Sequence, residues 1–475
     1  MPRTDRPRST TSVWRRKPVS DMTEESGGSG LFRTLGLWQL TAIGVGGIVG
    51  VGIFSLAGLV AHGDATTPAV GPAVVLSFLI AGLASAAAAL SYAEFAGMIP
   101  RAGSAYSYGY VALGELVGWF IGWDLLLEYV AIVAVVAIGI SGYLDAFLSG
   151  FGLELPTAIT ETADQPGGVV NIPAILICLF VTFLLSRGTR TFGRFELVAV
   201  AIKILLVVFI VVLGVFFIDP ANYDPFLPNG FGPVFTGAAT VFFAVFGYDA
   251  MSTAAEESKD AQRHMPKAIL YSLAISMVLY VLACLTLVGI QNYTKIDPES
   301  GFSSAFASIG LDGIGTVIAV GAIVGILTVM FTFMLGVTRV WFAMSRDGLL
   351  PQWFAKTHPT RHVPTRVTWL AGILYAVIAG FMPIAEAAEL TNIGILLAFV
   401  VVCIAVILLR YTRPDLPRTF RTPGMPFVPA IGVIFSLWLV TFLQWETWLR
   451  FVVWFLIGLI VYFGYSRRHS LLHPR

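Results

Sequence analysis

A glycine-rich run inside the first long apolar segment reads Ala42-Ile43-Gly44-Val45-Gly46-Gly47-Ile48-Val49-Gly50-Val51-Gly52-Ile53-Phe54. Each glycine weakens a helix by about 1 kcal/mol relative to alanine, so the run predicts an interrupted helix. A second apolar segment has a similar weak point, where Gly247 and Asp249 follow Phe242-Phe243-Ala244-Val245-Phe246. Interrupted segments at corresponding places in two halves of a membrane protein point to a transporter binding site. Free N–H groups there face an anion and free C=O groups face a cation, and a zwitterion presents both charges.

The composition is that of an integral membrane protein. Of 475 residues, 57% are hydrophobic and only 12% are charged, whereas a soluble domain carries about 25% charge. Long apolar runs separated by short polar loops favour α-helices that cross ~30 Å of hydrocarbon. The net charge of +1 gives no reason to expect a nucleic-acid partner. Cys178, Cys284 and Cys403 lie far apart in apolar runs, which predicts neither a metal site nor a disulfide framework.

Twelve spans are expected in one transmembrane domain, residues 34–475. Their approximate bounds are 37–60, 71–98, 117–147, 170–187, 194–217, 233–256, 267–290, 313–344, 366–383, 388–410, 427–444 and 448–466. Residues 1–33 are polar and basic and predict a disordered cytoplasmic tail, with no cleavable signal peptide. Short helices are expected in two loops, one beginning near residues 100–108 and lying on the inner surface, and one near 303–309.

The distribution of positive charge predicts the orientation in the cell membrane. With the N-terminus inside, nearly all Lys and Arg residues in loops fall on the inner side, and only Lys295 and Arg450 fall outside. The outer loops are acidic and include Glu161, Asp164 and Asp297. Because cytoplasmic loops of membrane proteins are enriched in Lys and Arg, both termini are expected in the cytoplasm.

Three motifs resemble those of one superfamily. The run from Gly47 to Phe54 is similar to the first-helix signature of the amino acid–polyamine–organocation superfamily, and Phe243 to Glu257 resembles its sixth helix. Phe342-Ala343-Met344-Ser345-Arg346-Asp347-Gly348-Leu349-Leu350-Pro351 is similar to the loop after helix eight in the cationic amino acid transporter subfamily. The resemblance implies an all-α LeuT-type fold with inverted repeats of five spans, about 37–217 and 233–410, and two further helices over 427–466.

The resemblance also implies a substrate site at the two interruptions. The N–H groups of Val51 and Gly52 would hold the substrate carboxylate, and the rings of Phe243 and Phe246 would close the site. The carbonyl groups that would receive the α-ammonium belong to Ile48, Phe243, Ala244 and Phe246. Irregular backbone at membrane depth is tolerated only where it lines a cavity, which agrees with this assignment. The competing interpretation is close helix packing through small residues, for which Gly46 and Gly50 have the right spacing.

Lys203 lies in the apolar run Val198-Ala199-Val200-Ala201-Ile202-Lys203-Ile204-Leu205, nine residues past Arg194. A helix rises 1.5 Å per residue, which places Lys203 about 13 Å deep, near the centre of the membrane. An intramembrane ammonium is a functional hypothesis by default. By resemblance, a lysine in the fifth helix takes the place of a sodium ion, which predicts that Lys203 couples transport to a proton. A static structural charge is the alternative.

Two further positions are candidates for the site. Glu128 lies about 15 Å into the third span, with Asp124 one turn earlier. Glu128 is expected to pair with Lys203, to face the substrate side chain, or to fix helix packing. Ile326, by resemblance, flanks the substrate side chain in the eighth span. Because that face shows no acidic residue, a strictly cationic substrate is not expected, and core packing competes for Ile326 too.

The resulting expectation is a secondary active amino acid transporter, coupled to protons and independent of sodium, with neutral or broad-range L-amino acids as substrates. The alternative is an exchanger for cationic amino acids or polyamines. A channel would need a continuous polar stripe and a sensor a soluble output domain, and neither is evident. No enzyme is expected, since no nucleophile–base set appears. No cofactor besides the coupling proton is expected, and the partners are the amino acid substrate and membrane lipid, with no obligate protein partner.

Overall fold

The structure is a computed structural model that describes most of the chain. The described residues are 14–16, 35–64, 67–99, 104–187, 192–253, 255, 258–298, 300–356 and 364–472. Of the predicted tail, only residues 14–16 are among them. The remainder of 1–33 lies outside the described residues.

The described chain is built almost wholly from helices. The first interrupted segment comprises α1 (Leu37–Ile48), a π-helical turn (Gly52–Leu56) and α2 (Ala57–His62). The second comprises α9 (Gly232–Thr240), a 3-10 turn (Phe242–Val245) and α10 (Tyr248–Ser252). The other helices are α3 (Val74–Met98), α4 (Ser104–Ala112), α5 (Glu115–Ser149), α6 (Thr157–Thr160), α7 (Ile172–Arg187), α8 (Phe192–Gly214), α11 (Ala261–Ile290), α12 (Gly301–Ser308), α13 (Asp312–Arg346), α14 (Thr365–Phe381), α15 (Ile384–Thr412), α16 (Phe427–Val440), α17 (Trp445–Val461) and α18 (Arg467–His469).

By length and apolar composition, eight segments of the described chain could each cross a membrane. The bent pair α9 and α10 passes the same test when it is taken as one span. Three shorter apolar helices, α7, α14 and α16, coincide with other predicted spans. The chain is therefore a multi-pass membrane protein. Most observed bounds lie within a few residues of the predicted ones, but α11 begins six residues earlier, at Ala261 rather than 267.

The two predicted loop helices are present as α4 and α12. Every residue of α4 is buried, so this helix is packed into the body and does not lie on its surface as expected. At its centre the bundle is built on α5 and α13, which pack along each other for much of their length. Nearly all of α5 from Gly118 to Ser141 is buried.

The two ends of the described chain meet on one face of the bundle. Arg15 Nη1 donates a hydrogen bond to the Leu472 carbonyl oxygen at 2.8 Å. We call this face, which also carries α4 and residues 347–350, the terminal side. The opposite side carries the loop 150–171, helix α12 and the turn between α14 and α15.

Candidate functional site

The first predicted interruption is present. Helix α1 ends at Ile48, and Val49 is extended, with φ −73° and ψ 109°. The chain resumes as a π-helical turn at Gly52. The Gly50 carbonyl accepts hydrogen bonds from the N–H groups of Ile53 at 3.1 Å and Phe54 at 3.2 Å. We call residues 49–51 the first break.

The second interruption is present as well. Helix α9 ends at Thr240, and the segment bends by 57° before α10. Phe246 is extended, and Gly247 has φ +132°, a backbone conformation that residues other than glycine rarely adopt. Asn392 of α15 holds this second break, residues 241–247: its Oδ1 accepts from the Phe243 N–H at 2.6 Å, and its Nδ2 donates to the Thr240 carbonyl at 2.7 Å.

The two breaks cross in direct contact. A Cβ on Gly247 would lie 2.7 Å from the Gly47 carbonyl carbon, and a Cβ on Gly52 would overlap the Ala244 side chain. Glycine is needed at both places because the backbones approach too closely for any side chain. The crossing joins the two halves of the chain where the sequence predicts a substrate site.

Tyr280 of α11 ties the two breaks together. Its hydroxyl lies 2.6 Å from the Ile48 carbonyl oxygen and 2.7 Å from the Ala244 carbonyl oxygen. A hydroxyl has one proton, which these two acceptors share. The carbonyl groups of Ile48 and Ala244 are predicted to receive an α-ammonium, and in this conformation they face the tyrosine. A bound ammonium group would compete with Tyr280 for them.

Lys203 of α8 reaches the first break. The side chain is fully buried, and its Nζ donates to the Gly46 carbonyl oxygen, to the Val49 carbonyl oxygen at 2.8 Å and to Thr328 Oγ1 at 2.8 Å. A weaker contact of 3.4 Å joins Nζ to the Gly325 carbonyl oxygen. The ammonium thereby links α8 to α13 and to carbonyl groups that the end of helix α1 leaves available.

Glu128 does not pair with Lys203. Both its carboxylate oxygens are buried without a hydrogen-bond partner, as are Asp124 Oδ1 and Asp249 Oδ1. The other oxygen of Asp249, Oδ2, accepts from the Tyr129 hydroxyl. These acidic residues stand in the region of the second break and α15, since a Cβ on Gly394 would lie 2.8 Å from Asp124 Oδ1 and 3.4 Å from Glu128 Cβ. Of the three predicted alternatives for Glu128, the pairing with Lys203 is wrong.

Helix α13 meets the first break through Val329, three residues after the predicted Ile326. A Cβ on Gly50 would lie 2.5 Å from Val329 Cγ2, whereas Ile326 is fully buried three residues earlier. The Phe246 ring lies 6.5 Å from the Phe333 ring and 5.4 Å from the Phe399 ring, measured between centroids. Val329 and Phe333 are thus α13 side chains that lie beside the two breaks.

A cavity of about 1060 Å³ opens on the opposite side of the bundle. Its floor adjoins the first break, since Ile138 lines the cavity while a Cβ on the next residue, Gly139, would overlap Val51. The carboxylates that line it are Asp64, Asp145, Glu161, Asp164, Asp297, Asp312 and Glu386. Burial first, and then the charges of Asp297, Asp164 and Asp145, raise the pKa of Glu161 to about 7. We call this cavity the acidic vestibule.

The structure brings together most of the predicted site residues. Ile48, Gly52 and Ala244 meet directly at the crossing of the breaks. Two residues that hold the breaks, Tyr280 and Asn392, were not predicted. The sequence gives little signal for either, since tyrosine and asparagine are common in membrane helices and their partners lie far away in the chain.

Comparison with known proteins identifies the family. A model of the amino acid permease family matches residues 35–466, and the chain belongs to this family of membrane transporters, within the amino acid–polyamine–organocation superfamily. The chain is 45% identical to the methylthioribose transporter of Bacillus subtilis (strain 168), over 98% of this chain and 100% of that protein. It is 43% identical to the branched-chain amino acid permease BcaP of the same organism, over 97% and 99%. Human cationic amino acid transporter 4 is 30% identical, over 97% and 91%.

Proposed function

We propose that this chain is a secondary active carrier, independent of sodium and coupled to protons, which takes up neutral or broad-range L-amino acids by alternating access. The observation that carries the proposal is the crossing of two broken helices beside a buried ammonium group. N–H groups at the start of a helix favour a carboxylate, and carbonyl groups at the end of a helix favour an ammonium. Such a site fits the two charges of an amino acid backbone.

The same proposal includes the architecture and the orientation. Within the described residues, the eight long segments, the bent pair and the three shorter apolar helices correspond to the twelve predicted spans. Twelve spans and the crossing of the first and sixth support a LeuT-type fold with two inverted repeats. An even number of spans and the bias of Lys and Arg support a cytoplasmic location for the terminal side in the cell membrane. The acidic vestibule then faces outward.

Proton coupling would run through Lys203. A protonated ammonium attracts the carbonyl groups of Gly46 and Val49, and it holds the first break against α8 and α13. A neutral amine loses most of this attraction, because hydrogen bonds with a charged partner are roughly twice as strong as neutral ones. Loss of the proton would therefore favour the conformation in which the first break moves away from α8.

The test is uptake into liposomes in sodium-free medium. Uptake by the wild type should rise with an inward proton gradient, and Lys203→Ala should lose gradient-driven accumulation while some substrate binding survives. Lys267→Ala is the matched control, because this lysine is exposed on α11. A requirement for sodium, or full proton-driven accumulation by Lys203→Ala, would show that the lysine has only a structural role.

Cationic amino acids are a second candidate class of substrate. Two observations favour them: the unpartnered buried carboxylate of Glu128 and the similarity to human cationic amino acid transporter 4. A neutral sugar-like substrate is a third, suggested only by the name of the methylthioribose transporter. Competition of leucine, arginine and methylthioribose against labelled alanine separates the three. Methylthioribose lacks both the ammonium and the carboxylate group, so strong competition by it alone would overturn the proposed site.

A further inference from the structure

A short part of the N-terminal tail is bound to the terminal side of the molecule. Arg15 keeps only 8% of its side-chain surface exposed and forms an ion pair with the fully buried Glu115, at 3.2 Å from Nη2 to Oε1. The Glu115 N–H donates to the Arg15 carbonyl oxygen at 2.8 Å. Gly114, with φ +110°, allows the approach, because a Cβ there would lie 3.0 Å from the backbone of Trp14.

The Glu115 carboxylate gathers several parts of the chain at this point. It accepts hydrogen bonds from the hydroxyls of Tyr110 at 3.4 Å, Tyr462 at 3.0 Å and Ser470 at 2.5 Å, in addition to Arg15. These donors come from α4 and from the end of the chain. Among these contacts the charged partner is Arg15, so its removal would leave the buried carboxylate without this ion pair.

Helix α4 connects this cluster to the second break. The Tyr108 ring stacks on Phe95 at 4.7 Å and meets Tyr92 edge-on at 6.0 Å. The Tyr92 ring in turn lies 5.5 Å from that of Tyr248, the residue after Gly247. A second tyrosine of α4, Tyr106, donates a hydrogen bond from its hydroxyl to Asp347 Oδ2 at 2.7 Å. Helix α4 thus lies between the docked tail and the part of the site nearest the cytoplasm.

We propose that the docked residues Trp14 and Arg15 are an autoinhibitory latch. While Arg15 is bound to Glu115, α4 stays in place against α10 and the inner side of the carrier remains closed. When the latch is released, Glu115 loses its ion pair with Arg15, and Gly114, in the turn between α4 and α5, loses the backbone that packs on it. Helix α4 is then held less firmly, and the inner half of the second interrupted segment is free to move away from the bundle. The inference rests on the proposed alternating-access function, since the latch would keep the inner side of the carrier closed.

The test measures access from the inner side and needs no substrate. Ser252, fully buried on α10, is replaced by cysteine in the full-length chain, and a membrane-impermeant maleimide is added to inside-out vesicles. Adding Arg15→Ala should increase the labelling rate of the new cysteine about fivefold or more, within the usual range of coupling between sites. Arg16→Ala, at the exposed neighbour of the same charge, should leave the rate unchanged.

Two controls separate a latch from general loosening. The native Cys284 is fully buried in α11, so its labelling should stay low in Arg15→Ala, whereas a loosened protein would expose it too. Arg15→Lys keeps the charge but loses the hydrogen bond that the guanidinium donates to the Leu472 carbonyl oxygen. This variant should give an intermediate labelling rate at Ser252→Cys. If Arg15→Ala does not reach the membrane, deletion of residues 2–16 must give the same increase.

An unchanged rate at Ser252→Cys in Arg15→Ala or in the deletion, or an equal rise at Cys284, would overturn the latch. Uptake by the parent protein is measured separately. If that protein transports no amino acid, the proposed function falls while the labelling result still stands.

Discussion

At the scale of single residues, Gly52 is a position of the site where the structure leaves no room for a side chain. Its Cα packs against Ala244, and a side chain there would push the second break away. Overpacking of this kind typically costs about 1–3 kcal/mol. Because both breaks present the groups assigned to the substrate, displacement by even a small distance should remove the match between the N–H and carbonyl groups.

Gly52→Val should therefore abolish substrate binding and uptake while membrane insertion is retained. The measurement is binding by thermal shift together with uptake into liposomes. Gly464→Val is the matched control, because no atom lies within 4 Å of a Cβ at that exposed glycine. Full uptake with unchanged affinity in Gly52→Val would refute the assignment of this site.

At the scale of helices, the breaks were predictable and their supports were not. A glycine-rich run weakens a helix locally, so the interruptions at 49–51 and 241–247 follow from the nearby sequence alone. Lys203 stands out because a charge inside the membrane is costly. Tyr280 instead contacts Ile48 across 232 positions of the chain, and Asn392 contacts Phe243 across 149. Such pairs depend on how the helices pack, which a single sequence does not reveal.

The docking of Arg15 was missed for a similar reason. A basic, polar tail predicts disorder, and its partner Glu115 lies 100 positions away. The position of Glu115 at the start of α5 is an ordinary one for a carboxylate, since acidic residues are favoured in the first turn of a helix.

Helix α13 should limit the size of the substrate side chain. Ile326→Ser should admit longer or more polar side chains by enlarging the pocket, and Val329→Ala should do so more strongly, because Val329 touches the first break. Competition by arginine and by leucine against labelled alanine measures the change. A competition profile identical to the wild type in Ile326→Ser would remove that residue from the site, and the same result in both variants would remove this face of α13.

At the scale of the whole molecule, charge is distributed unevenly between the two sides. The acidic vestibule collects seven carboxylates around one cavity. A concave surface lined by one sign of charge raises the local concentration of opposite charges. In the proposed orientation the vestibule draws protons and ammonium groups toward the first break from outside. It also repels acidic amino acids, whose net charge is negative.

This crowding of carboxylates should affect stability as the pH changes. The pKa of Glu161 is raised to about 7 by burial first and then by Asp297, Asp164 and Asp145. The folded state therefore holds a proton at Glu161 more tightly than the unfolded state does, so the stability contributed by this group falls as the pH rises from about 4.5 to 7.

Glu161→Gln removes the ionisation, and it should raise the thermal stability in detergent at pH 8 relative to wild type by roughly 1 kcal/mol, after allowance for solvent screening. At pH 5 the gain should be much smaller, because folded Glu161 is then protonated and neutral like glutamine. Glu154→Gln, at an exposed glutamate of the same loop, is the matched control for the substitution itself. Thermal unfolding at pH 5 and pH 8 measures the difference. An equal gain in stability for Glu161→Gln at both values of pH would show that the pKa of this carboxyl is not raised in the folded protein.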